Sequence, residues 1–286
     1  MNGWIPRVGR RLLLLAALTL LGGLLGATLV RFAPGYGVDE RELDPRLAPD
    51  TREAIRQEHQ IHSSLPAFYV NYLMRAAHWD LGRSEWLGHP IAGLLKERFP
   101  VTLRSVVLGV LAAWVAALTL SLAAVFSRGW AFDFAGTLAS GLLIALPGAV
   151  VALVAMYLRA PVFAAIGAVL FPKVFRYLRN LLADAYAQPC VLAARSRGIA
   201  GTRILFRHVL PLAAAPVLAL LGVSLSMAFG AAIPIEALCD SPGIGQLAWL
   251  AALNRDLPLI MNLTLMVTLV TVAANSASDL LHERAQ

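Results

Sequence analysis

Residues 192–211, LAARSRGIAGTRILFRHVLP, set four arginines, a histidine and two glycines between apolar runs. Cations at that density suit contact with a partner protein or with a lipid headgroup layer. Catalytic signatures are missing: there is no GxxxxGK[ST] phosphate loop, and the HE at 282–283 lacks the second histidine of an HExxH zinc pair. The remaining polar candidates sit at the ends of apolar runs. Glu236 can line a gate, bind a cationic substrate group or mark a solvated helix end. Asn275 and Asp279 fall one helical turn apart on one face, where they can hydrogen-bond to neighbouring helices or contact solute. His208 beside Arg207 can sense pH or touch a helix end or headgroups.

The elements that position these residues are membrane helices. Charged residues are 14% of the chain, against about 25% in a soluble domain. The apolar residues come in long blocks and the mean hydropathy is +0.69. Residues 12–30, 105–127, 134–158, 209–235 and 257–278 each supply the roughly 20 apolar residues that a helix needs to cross a bilayer. They lack the period-two alternation of a membrane barrel. A sixth span is expected at about 160–182, with Lys173, Arg176 and Arg179 at its inner end reaching the headgroups; a re-entrant or interfacial helix is the other reading. Pro147 and Pro216 can kink the third and fifth spans.

Orientation follows from lysine and arginine. Arg7, Arg10 and Arg11 precede the first run, Arg128 follows the second, Lys173 through Arg207 fill the gap after the fourth, and Arg284 lies near the end. The alternate short gaps hold only Arg159 and Arg255. Both termini and the basic connection are thus expected on the cytoplasmic side. The first run reads as an uncleaved span, because its apolar part exceeds that of a signal peptide. Gly22 and Gly26 within it suit close helix packing. Cys190 and Cys239 fall on opposite sides, which precludes a disulfide between them within one subunit. The net charge of +7 fits a cytoplasmic face set against anionic lipids, not a nucleic-acid surface.

Burying Lys173, Arg176, Arg179, Arg195, Arg197, Arg203 and Arg207 at the bilayer centre would cost about 2.5–3.5 kcal/mol each, so the opening segment must leave the membrane. Pro189 suits a first helical position and Gly198 a left-handed cap. The result is a helix of about two turns, with Ala193 and Ala194 as a close-approach surface and Arg195 and Arg197 as a charged margin. Alone it would be marginal.

Here the residues carry a resemblance. Permease subunits of ABC importers share a cytoplasmic signature, Glu-Ala-Ala, three residues, Gly, nine residues, Ile, one residue, Leu-Pro. This chain offers Leu192-Ala193-Ala194, Gly198, His208 and Leu210-Pro211. ARSRG at 194–198 and RHVL at 207–210 resemble the dipeptide, oligopeptide and nickel branch of that family. So, in order, do RFAPG at 31–35, DLGRS at 80–84, ERFPVTL at 97–103, IEALCDSPGIGQL at 235–247, NRDLP at 254–258, and Asn275 with Asp279. Leu192 replaces the usual Glu, the usual outer loop between spans three and four is missing, and the chain ends without the usual DPR.

The resemblance implies an all-α membrane protein of about six transmembrane helices with the type I importer permease fold. Residues 1–31 would form a tail and first span, 32–100 an extracytoplasmic cap, and 101–286 the permease core, with a coupling helix at about 188–200. It further implies an inner-membrane permease that is not itself an enzyme and carries no cofactor or metal. ATP and Mg would be bound by two partner ABC ATPase subunits. A second permease subunit and an extracytoplasmic solute-binding protein would complete the assembly, in the lipid bilayer and without nucleic acid. Ala193, Ala194, Arg195, Arg197, Gly198, His208 and Pro211 would couple to the ATPase. Glu236, Pro242, Gly243 and Asp256 would line an outer gate or substrate path. An ion-coupled carrier would need charged groups near mid-membrane, which the five runs lack. A membrane enzyme or assembly factor would need a catalytic constellation or a soluble platform, and neither is visible.

Overall fold

The computed structural model describes residues 80–126 and 130–285, with single positions at 17–28 and at 74, 75 and 78; side chains near 126–130 and beyond 276 are not described. Most of the first run, most of the 32–100 segment and the side chain of Asp279 lie outside the described residues. The described chain is helical throughout apart from connections and a lone Arg83–Pro90 bridge.

The uncharged runs become α1 (Ile91–Phe126), α2 (Trp130–Ala145), α3 (Gly148–Tyr157), α4 (Val162–Tyr186), the short α5 (Pro189–Ser196) and α6 (Gly201–Ile204). A π-helical stretch, Leu205–Val209, leads into α7 (Leu210–Leu238), followed by α8 (Ile244–Leu253) and α9 (Leu257–Ala285). Among the described residues, three helical stretches are long and apolar enough to cross a membrane: Ile91–Val125, Gly201–Leu238 and Leu257–Ser276.

The run at 134–158 departs from expectation. It is not one helix: α2 and α3 meet at an angle of 102°. Pro147 bears no N–H and pushes the residue before it away from helical geometry. Its own backbone is extended, at φ −56° and ψ 142°, and its carbonyl starts α3 by accepting the Val150 and Val151 N–H groups. The angle exceeds what a proline kink in a continuous helix produces. The missing loop after α3 also has a local cause. Arg159 adopts φ 52°, its N–H donates to Met156, and the Ala160 N–H reaches back to Ala155, so the chain reverses in three residues.

The segment expected as a sixth span forms α4, a helix of 25 residues that, with Lys173, Arg176 and Arg179 along it, is not among the stretches apolar enough to cross a membrane. Two of these cations do not reach for headgroups. Arg179 forms a bidentate pair with Asp133 of α2, with Nη2 2.7 Å from Oδ2, and Arg176 donates to Ser140 Oγ at 3.1 Å. The same two helices approach closely at Gly136, where any Cβ would strike the Phe175 ring.

The chain divides into two compact units. One holds Arg98–Trp249 and the residues from Val270 on; the other holds the described residues up to Glu97 with Leu250–Leu269. The core of the larger unit joins α1, α3, α4 and α7 through Val106, Val110, Ile166, Leu170, Phe175, Phe229 and their neighbours. Gly167 lets α4 touch α1, since a Cβ there would lie 3.2 Å from the Gly109 carbonyl oxygen. Trp114 Nε1 donates to Ser224 Oγ at 3.2 Å and links α1 to α7.

Candidate functional site

The polar insert folds as its local chemistry dictates. Gln188 precedes α5 in extended geometry and Pro189 opens it, where a missing N–H costs nothing. Gly198 ends it at φ +72°. The Gly198 N–H donates to Arg195 and the Ile199 N–H to Ala194, at 3.0 and 3.3 Å, which is the Schellman pattern. A Cβ on Gly198 would meet nothing within 4 Å, so backbone conformation alone asks for glycine there.

The helix has an anchored side. Val191 and Ala194 are buried with Leu182, Ala185 and Tyr186 of α4 and with Ile204, Leu205 and Val209; Leu122, Val125 and Ile199 pack against them. The Arg195 guanidinium lies 5.2 Å from the centroid of the Tyr186 ring, within cation–π range. The expected Ala193-Ala194 approach surface is therefore corrected: Ala194 packs into its own chain, and only Ala193 is exposed, beside Leu192. Arg197 is exposed, His208 half-buried and Pro211 exposed. Pro211 accounts for the π-helical stretch, because a proline ring clashes with the carbonyl four residues back. The Leu210 N–H donates instead to Leu205, five residues back.

Glu236 is fully buried, so it is not a solvated helix end. Its Oε2 accepts from Thr102 Oγ1 at 2.9 Å and from the Gly245 N–H at 2.8 Å, while Thr102 Oγ1 accepts from the Ile244 N–H at 2.8 Å. Two orphan donors at the start of α8 are thus capped by side chains from α1 and α7. A Cβ on Gly243 would overlap the Glu236 carboxylate, and one on Gly245 would run into the Ile233 backbone. Pro242 is exposed beside them. Arg98, one turn from Thr102, donates to Gln246 Oε1 at 3.0 Å.

Asp256 is buried in the smaller unit. Its Oδ1 caps α9 through the Leu259 N–H at 3.1 Å, and its Oδ2 accepts from Ser84 Oγ and from the Trp86 N–H. Asn262 donates to the Leu81 carbonyl in the same unit. On α9, Asn275 accepts from Ser226 Oγ of α7. Cys190 and Cys239 are both free thiols.

Residues 105–285, well over half of the chain, match the model of binding-protein-dependent transport system inner membrane components. The chain belongs to this family. It is a multi-pass inner-membrane permease component of an ABC importer. A relative in Brucella suis biovar 1 (strain 1330) that carries the name peptide permease is 27% identical to this permease over 296 aligned residues, covering 91% of this chain and 92% of the relative. The oligopeptide transport system permease protein OppB of Escherichia coli (strain K12) is 26% identical over 269, covering 84% of each.

Sequence reasoning named Glu236 and Asp256 but not their partners. Thr102 and Ser84 lie inside segments quoted for the resemblance, which was the available signal. Asp133 and Tyr186 stood in no motif.

Proposed function

We propose that this permease is one half of an ATP-driven importer for peptides or similar small solutes, with α5 as its coupling helix. The observation that carries the reading is that α5 is held to the chain on one side and presents Leu192, Ala193 and Arg197 on the other. A two-turn helix outside the apolar spans needs a partner for that second side.

In this reading six spans cross the membrane, α2 and α3 together form a broken third span, and both termini and α5 face the cytoplasm. Two partner ATPases bind ATP and Mg, and a second permease subunit, distinct from this one, completes the pathway. An extracytoplasmic binding protein delivers solute to the loops of 32–100 and 236–256. ATP shifts the assembly between inward-open and outward-open states only because it binds the closed ATPase dimer more tightly than the open one. Each α5 then turns that closure into tilting of the spans it joins. Pro242, Gly243 and the clasped Glu236 and Asp256 belong to the outer side of the path. Peptide is the favoured solute because the relatives' names concern peptides.

Co-purification tests the reading. A tagged permease from native membranes should retain an ATPase and a second permease, and vesicles containing the complex should take up labelled peptide only with ATP. A permease that arrives alone and drives uptake from a proton gradient would refute it.

A further inference from the structure

We propose that Tyr186 and Arg195 form the joint that fixes α5 to the end of α4, so that Arg195 is a positioning residue within this chain and not a contact to the ATPase. The inference rests on the transport reading above and adds to it the residues through which motion passes.

Tyr186 is the last residue of α4 and is only 8% exposed, its ring held in the cluster that also buries Val191 and Ala194. Two residues, Ala187 and Gln188, separate the helices. The turn is tight: the Ala187 N–H donates to Ala183, and the Gln188 carbonyl accepts from Val191 and Leu192. An apolar anchor of one valine and one alanine is small. Arg195 follows Ala194 directly, and side chains on a helix lean toward its N-terminus. That lean carries the guanidinium back over the Tyr186 ring. Arg195 stays exposed to solvent, yet its guanidinium is turned back onto its own chain. A push on the exposed side at Leu192 and Ala193 then reaches α4 through this contact as well as through the apolar stripe.

The test uses the complete transporter in proteoliposomes, with binding protein and a labelled casein-digest peptide pool. Two quantities are read: solute taken up per ATP hydrolysed, and ATPase retained on the tagged permease. Wild type that retains no ATPase, or takes up no peptide with ATP, sinks the transport reading itself. Given a working wild type, Arg195→Ala should lower uptake per ATP about two- to fivefold with ATPase retention unchanged. Arg195→Lys and Tyr186→Phe should preserve the ratio, because each keeps a cation over a ring. Tyr186→Leu should match Arg195→Ala, and the double variant should lose no more than either. The joint is overturned if Arg195→Ala sheds the ATPase, if its ratio stays at the wild-type value, or if the two losses multiply.

Discussion

Replacing Thr102 with valine keeps the side-chain shape and deletes one hydroxyl. That hydroxyl donates to Glu236 and accepts from the Ile244 N–H. In the variant the Ile244 N–H is left buried without its acceptor, a loss of about 1–3 kcal/mol. The broken Thr102–Glu236 bond adds about 1 kcal/mol, so the sum is about 2–4 kcal/mol. Glu236 Oε1 has no partner among the described residues, so the carboxylate is held through Oε2. Thr119 supplies the control, since its hydroxyl bonds the Val115 and Ala116 carbonyls of its own helix on an exposed face. Unfolding in mixed micelles by increasing SDS, followed by tryptophan fluorescence, measures both variants. Thr102→Ser should recover most of the loss. If Thr102→Val falls within about 0.5 kcal/mol of Thr119→Val, the clasp does not hold the start of α8.

Asp133→Asn should lower the amount of correctly inserted permease, with the pair worth about 1 kcal/mol at side-chain exposures of 38% and 37%; the exchange Asp133→Arg with Arg179→Asp should restore it on immunoblots. Gly198→Ala should cost about 1 kcal/mol from backbone strain alone, and Gly198→Asn less, read as protease sensitivity of the α5 segment. Asp256→Ala should speed amide exchange at both Trp86 and Leu259, whereas Ser84→Ala should leave Leu259 protected, because the two bonds end on different carboxylate oxygens. The hydrogen bond and charge of Arg75 hold Asp80 below the usual carboxylate range, with the Gly82 N–H adding to the effect. A lowered folded value means the contribution is present above the ordinary carboxylate range and lost as pH falls through the folded value. Gly82 amide protection, corrected for intrinsic exchange, should therefore fall on acidification, and Asp80→Asn should abolish that dependence.

Composition and run length made the helical membrane class legible, and Pro189 and Gly198 marked both ends of α5, because these signals are local. Direction was not legible. A hydropathy window sums apolarity along 134–158 and is blind to the turn that Pro147 imposes within it. The alanine pair at 193–194 looks uniform in sequence, yet one full residue of helical rotation sends Ala194 inward and leaves Ala193 outside. The sequence alone sets the cations of α4 against lipid, because Asp133 lies 46 residues from Arg179 and only the fold brings them together.

The segments that carry the family resemblance have a physical meaning that no single one reveals. ERFPVTL meets IEALCDSPGIGQL through Thr102 and Glu236, 134 residues apart, and through Arg98 and Gln246. In the other unit DLGRS meets NRDLP through Ser84 and Asp256, 172 residues apart. The acid of each pair caps a helix start, α8 in one case and α9 in the other. Gly243 and Gly245 are required because the carboxylate and the Ile233 backbone occupy the space a side chain would fill. A polar residue at the end of an apolar run invites a reading as a gate or a ligand for solute. Both acids also accept from backbone donors that would otherwise be buried unpaired, and such donors cost more the drier their surroundings.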